Sequence, residues 1–161
     1  MTEVEELIQK LYDENGIETI ERPLVGETKA ACLSFSLNCK CQTLSSKSYI
    51  IVDRDKIEDD KHLFFEIAHE EMYLKNPETM YKLNDSYSSV IREKEYKCKM
   101  LMARKYVPKK VLFNLLYIEK LQLFEIAERL CITEELIEEA YNYYSCLEWW
   151  INKKAEFMEE N

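Results

Sequence analysis

"FFEIAHEEMYLKN", residues 64–76, is the stretch whose reading decides the fold. Turned through 100° per residue, it separates into two faces. Phe64, Ile67, Ala68 and Met72 form an apolar stripe, while His62, Glu66, His69, Glu70 and Tyr73 gather on the other side. Glu71 breaks the pattern, because it points into the apolar stripe, where a carboxylate needs a partner or a raised pKa. The periodicity predicts a helix over 57–76 with one packed face and one polar, solvated face.

Working outward, the segment before this helix reads as extended. "IETIERPLV" (17–25), "KAACLSFSL" (29–37) and "KSYIIVD" (47–53) are rich in β-branched and aromatic residues and are divided by polar stretches, which predicts a small sheet. Ahead of it, Val4, Leu7, Ile8 and Leu11 recur at helical spacing over 3–14, and Asn15-Gly16 supplies a helix stop. Beyond it the pattern stays helical over 85–106, 109–119, 121–130 and 133–157. Pro108 divides two of these helices, and Thr133 before Glu134 and Glu135 marks a helix start. The expected class is α+β, a three-stranded sheet packed against a helical majority. One domain over 1–161 is expected, with a C-terminal helical extension from about 121.

The scarcity of Gly (2) and Pro (3) agrees with long helices and few turns. Charge narrows the partners. With 22 Lys and Arg against 31 Asp and Glu the chain carries −9, which repels phosphate backbones and anionic lipid, so neither nucleic acid nor a membrane is expected. No apolar run is long enough to span a bilayer, and "MTEVEELIQKLYDENG" is unlike a signal peptide; the expected location is the cytoplasm. Six cysteines in such a chain read as reduced thiols. Cys39 and Cys41, on one face of an extended segment, could join Cys32 in a thiolate metal site, but C-x-C without a second pair is a weak motif.

His69 followed by Glu70 opens the pattern H-E-x-x-H. In such helices two histidines one turn apart converge on zinc, the glutamate after the first activates a metal-bound water, and a third ligand comes from elsewhere. The second histidine should stand at 73, where this chain has Tyr73.

Five segments in order widen the comparison: "NGIETIERPL", "YIIVDRD", "FFEIAHEEMY", "REKEYKCKMLMARKYVP" and "FEIAERLCITEELIEEAYNYY". Together, over roughly residues 4–144, they resemble the ImmA/IrrE family of small zinc metallo-endopeptidases. The resemblance implies a zincin-like active-site helix and a Zn2+ cofactor, with His69 as first ligand, Glu70 as general base and Glu95, thirteen residues before Pro108, as the third-ligand glutamate. It implies a protein substrate or partner, such as a repressor of a phage or mobile element. Tyr73, Met72 and Glu71 depart from the family pattern on the metal-binding part of the motif. A neutral phenol is a poor donor, so His69 and Glu95 alone would hold zinc weakly. Cys98, one turn after Glu95, and Glu66, one turn before His69, are suitable substitutes; His62 lies roughly 10 Å away along the helix.

Two functions are consistent with these residues: a metallopeptidase with one ligand replaced, or a pseudo-peptidase that binds a partner through a retained cleft. A helix-turn-helix over 124–144 has acceptable apolar spacing, but its second helix carries Glu134, Glu135, Glu138 and Glu139 and no Lys or Arg before Lys153. It cannot neutralise DNA phosphates. The aromatic stripe Tyr143, Tyr144, Leu147, Trp150 and Ile151 reads as a helix face docked on its own core, with a protein interface as the other reading.

Overall fold

The computed structural model describes residues 2–36, 46–76, 78 and 88–159. Among these are three strands and six α-helices in an α+β arrangement, and the chain divides into two compact units, Met1–Cys98 and Lys99–Asn161. No helix among the described residues is long and apolar enough to cross a membrane.

The N-terminal unit opens with α1 (Glu3–Asn15). Thr2 and Glu5 close a reciprocal capping box: the Glu5 carboxylate accepts from the Thr2 N–H at 2.7 Å, and the Thr2 hydroxyl accepts from the Glu5 N–H at 3.3 Å. Gly16 ends the helix in the left-handed region at φ 63°, a conformation that glycine adopts without a Cβ penalty. Val4, Leu7 and Leu11 are buried.

β1 (Ile17–Glu21), β2 (Ala30–Ser36) and β3 (Ser46–Val52) form one sheet in the order β1-β3-β2. β3 runs parallel to β1, with Ile17 opposite Ser48, and antiparallel to β2, with Ala30 opposite Val52. The central place falls to the strand with the continuous β-branched run "IIV", and Ile50 and Val52 are almost completely buried. Cys39 and Cys41 lie outside the described residues, so the proposed thiolate pair has no structural counterpart here.

Asp53, buried at the end of β3, organises the connection between β1 and β2. Its carboxylate accepts from the Leu24 N–H and from Lys56 Nζ, both at 2.8 Å, and the same ammonium reaches the Leu24 carbonyl at 2.5 Å. The Leu24 N–H, then Lys56, hold the Asp53 carboxyl below its ordinary value of 3.8. A single-turn 3-10 helix (Arg54–Lys56) follows, and α2 (Asp60–Lys75) starts at the cap Asp59, whose carboxylate accepts from the His62 N–H at 2.9 Å. The helix expected from 57 therefore begins three residues later, because Asp59 is the residue able to terminate it.

The solvated polar face expected of α2 is not there. Leu63, Phe64, Ile67, Ala68, Glu70, Glu71, Met72 and Tyr73 are all buried, and they cover more than half of the helix circumference. α3 (Ser88–Tyr106) passes from the N-terminal into the C-terminal unit.

In the C-terminal unit, α4 (Lys109–Phe113) is only five residues long and gives way to a π-helical turn (Asn114–Ile118), where a single helix over 109–119 was expected. The Glu119 N–H donates to the Asn114 carbonyl at 3.1 Å, five residues back, so the turn is wider than an α-helix. α5 (Leu123–Leu130) ends at Cys131, itself left-handed at φ 50°, and α6 (Glu134–Glu159) starts after Thr133, whose hydroxyl accepts from the Leu136 N–H at 3.4 Å. Ile126, Ala127, Ile132, Leu136 and Ile137 are buried as the spacing requires. Tyr144 is buried as well, and its hydroxyl donates to the Val107 carbonyl at 3.0 Å, satisfying an otherwise unpaired carbonyl at the end of α3. The core reading of the aromatic stripe holds for this residue, whereas Leu147 is 40% exposed.

Because the folded Asp53 carboxyl is more acidic than the unfolded one, its contribution is complete above pH ~4 and is lost as pH falls through the folded value. Asp53→Asn is expected to lower the urea midpoint at pH 7 and to remove part of the acid-side decline seen in the wild type below pH 4; urea titrations across pH 2–7 measure both.

Candidate functional site

All of the site residues expected from the sequence belong to the N-terminal unit, on α2 and the first half of α3. His69 and Tyr73 stand one turn apart on α2, so their rings share a face, with centroids 4.7 Å apart in an edge-on arrangement. Glu95 on α3 reaches both. Its Oε2 lies 3.2 Å from His69 Nε2, and its Oε1 accepts from the Tyr73 hydroxyl at 2.6 Å. Cys98, one turn further along α3, is completely buried, and its thiol approaches the His69 carbonyl at 3.6 Å. The expected pairing of a carboxylate before Pro108 with the imidazole beside Glu70 is therefore present, and it forms the seam between the two helices.

On the other side of the imidazole, Glu70 Oε1 lies 3.6 Å from His69 Nδ1. Glu70 is buried and also hydrogen-bonds the thiol of Cys32 on β2. The His69 side chain is 15% exposed. Its burial acts to lower the pKa, but the hydrogen bonds the ring donates to Cys98 and Glu70, together with the negative charge of Cys98 and Glu95, outweigh this and push it up to about 10. The His69 ring thus lies between the Glu70 and Glu95 side chains, an environment that favours its protonated form. For Cys32, burial is the main cause that pushes the thiol up, with the Glu70 carboxylate adding to it. Burial, followed by the bond to Glu95, likewise pushes the Tyr73 phenol up, so it keeps its proton and serves as a donor.

Cys32 entered the sequence reading only as a companion of Cys39 and Cys41. Its placement beside Glu70 follows from the sheet register, which puts it opposite Ile50 of the central strand. The one sequence signal was its position inside a predicted strand; that α2 packs over this part of the sheet is a tertiary fact. Glu66 is half-buried on α2, one turn before His69. His62 is taken up at the start of α2, where its Nδ1 lies 2.8 Å from the capping carboxylate of Asp59.

The donor set does not suit a catalytic zinc. Among the described residues no group of three or more His, Cys, Asp and Glu side chains could hold a metal ion, so neither Glu66 nor Cys98 completes a set with His69 and Glu95. The remaining neighbour, Tyr73, offers a bound proton where the motif requires a lone pair. Both Glu95 oxygens face proton-bearing groups. What the arrangement provides is a tie between α2 and α3. Comparison with protein-family models, with curated proteins and with solved structures gives no match.

Glu71, the misfit of the apolar stripe, is completely buried and pairs with Lys75 one turn on at 2.7 Å. The Lys75 side chain is about one-third exposed, so its stem lies along the helix and its ammonium reaches solvent.

Two outcomes are expected from these contacts. Tyr73→Phe removes the hydroxyl donor from Glu95 and should cost about 1 kcal/mol; this is below the usual range for bonds to charged groups because a third of the Glu95 side chain is exposed. Lys75→Met removes a cation paired with the buried Glu71 carboxylate and should cost about 2 kcal/mol, while Glu71→Leu with Lys75→Met recovers most of that loss. Urea unfolding of the single and double variants measures the coupling.

Proposed function

We propose that this chain is a non-catalytic relative of zinc peptidases of the ImmA/IrrE type, and that it holds a partner protein at the cleft beside His69 instead of hydrolysing it. The observation that carries the reading is the Tyr73 hydroxyl donating to Glu95 at 2.6 Å. In a zinc site of this pattern, positions 69, 73 and 95 present three lone pairs to one cation. Here position 73 presents a proton, and the carboxylate that would coordinate the metal accepts it. The same replacement accounts for the neighbouring departures: on a helix that serves no metal, Met72 answers only to burial and Glu71 to burial and its pairing with Lys75.

A retained cleft offers a way to hold an extended segment. β2 lies at the edge of the sheet, and among the described residues no strand pairs on its outer side. A partner strand added there would pass Cys32, which contacts Glu70, and would gain main-chain hydrogen bonds that require no catalysis. By the resemblance, the partner is a regulatory protein such as the repressor of a phage or mobile element.

Elemental analysis of untagged protein tests the reading. Wild type is expected to carry well under one zinc per chain after exposure to equimolar zinc, and Tyr73→His, which restores H-E-x-x-H, to carry about one. Stoichiometric zinc in the wild type that disappears in Glu95→Ala would establish the metallopeptidase with a replaced ligand. Failure of Tyr73→His to take up zinc, in a variant that unfolds like the wild type, would remove the zinc-peptidase lineage.

A further inference from the structure

The C-terminal unit holds an open groove of about 530 Å³ that plays no part in the site described above. It is lined by Leu116 and Tyr117 of the π-helical turn, Leu123 and Phe124 of α5, and Glu134 and Tyr141 of α6. Its apolar walls face solvent, with Tyr117 60% and Phe124 51% exposed. Two irregularities of the backbone shape it: the wide π turn, and Lys120 in the left-handed region at φ 61°, which reverses the chain between the turn and α5. Exposed aromatic side chains around a concavity of this size are what a hydrophobic anchor residue requires.

The chemistry of the occupant follows from charge and from what the walls are made of. Between Leu116 and Tyr141 the chain carries seven glutamates against Lys120 and Arg129; Arg129 pairs with Glu119 and Lys99 takes up Glu135 and Glu139, which leaves Glu125, Glu128, Glu134 and Glu138 outside these ion pairs. Glu134 stands on the groove and Glu138 is exposed one turn further along α6. Such a field repels nucleic acid, anionic lipid and acidic peptides, and it attracts a cationic segment. The walls are helical and present no strand edge, so an incoming chain cannot be held by main-chain pairing. Recognition must come from side chains projected at helical spacing.

We infer that this groove is a docking site for a basic amphipathic helix of a partner protein, whose apolar anchors fill the space between Tyr117 and Phe124 while its Lys or Arg residues meet the glutamates of α5 and α6. This goes beyond the cleft around His69: the two surfaces are built from different units and use different modes of binding. A second copy of this chain, at −9, is a poor match for the same field.

The test uses the full chain and a fluorescein-labelled helical peptide of Leu and Lys, roughly four turns long, with Leu at i, i+3 and i+4. Fluorescence anisotropy is expected to give micromolar binding that weakens severalfold between 50 and 300 mM salt, and none for the same peptide with Glu replacing Lys. Phe124→Ala and Tyr117→Ala are each expected to raise Kd at least tenfold; the urea midpoint should change little for the half-exposed Phe124 and fall for Tyr117, whose ring packs edge-on against Phe113 at 5.4 Å. Glu134→Gln with Glu138→Gln should raise it about fivefold, whereas Glu18→Gln with Glu21→Gln in the N-terminal unit should leave it unaltered. The inference is overturned by absence of binding, or by binding that responds equally to both pairs of charge variants and ignores Phe124. It is also overturned if light scattering shows a dimer that Phe124→Ala converts to monomer, which would assign the groove to a second copy. Tyr73→His is expected to leave peptide binding unchanged, so zinc uptake and peptide docking succeed or fail separately.

Discussion

The carboxylate of Glu95 lies in the seam between α2 and α3, where it must be matched by protons or by a cation. A tyrosine one turn after His69 answers that need with an O–H donor, and the imidazole supplies a second proton-bearing neighbour. An imidazole at the same place would have offered a lone pair, and two imidazoles with a carboxylate make a metal site. In this chain the seam is closed by hydrogen bonds to Glu95. The bond to a charged acceptor is short, and it ties two helices whose positions are far apart in sequence.

That tie accounts for an unusual property of α2, which buries two glutamates, a tyrosine and most of a histidine along with its apolar residues. Each polar group has a specific partner: Tyr73 and His69 face Glu95, Glu70 lies against His69 and Cys32, and Glu71 pairs with Lys75. Removing a partner is costlier than never having had one, since an unsatisfied buried charge carries its full desolvation penalty. Such a helix is held in place by complementarity more than by hydrophobicity.

The C-terminal unit solves a different problem. Its α5-turn-α6 arrangement has the apolar spacing of a nucleic-acid-binding motif, with Ile126, Leu136 and Ile137 buried, but the outward positions are glutamates. Lys99 stands between Glu135 at 2.8 Å and Glu139 at 3.2 Å, which neutralises part of α6 on its inner side. The rest of the acidic character is left around the groove beside Tyr117 and Phe124. A shape commonly used against phosphate has here a charge suited to cations.

Much of the local structure was legible in the residues. Gly16, Pro108 and Thr133 mark helix ends through chemistry that acts within a few residues, and "YIIV" marks a strand for the same reason, though not its central place. Asp59 as the true start of α2 was a local signal that the apolar periodicity overshadowed. The π turn after Phe113 was not legible, because Leu115 is drawn into the core by packing that sequence spacing does not reveal. In the site, His69, Glu70 and Glu95 were identifiable from their pattern and order, and so was the anomaly at Tyr73. The sequence by itself determined the inventory of donors and acceptors on α2 and α3, since that is intrinsic to each side chain. Only the tertiary structure decided that Tyr73 meets Glu95, that Cys32 meets Glu70 and that the polar face of α2 is buried, because those pairings join strands and helices whose separation along the chain says nothing about their distance in space.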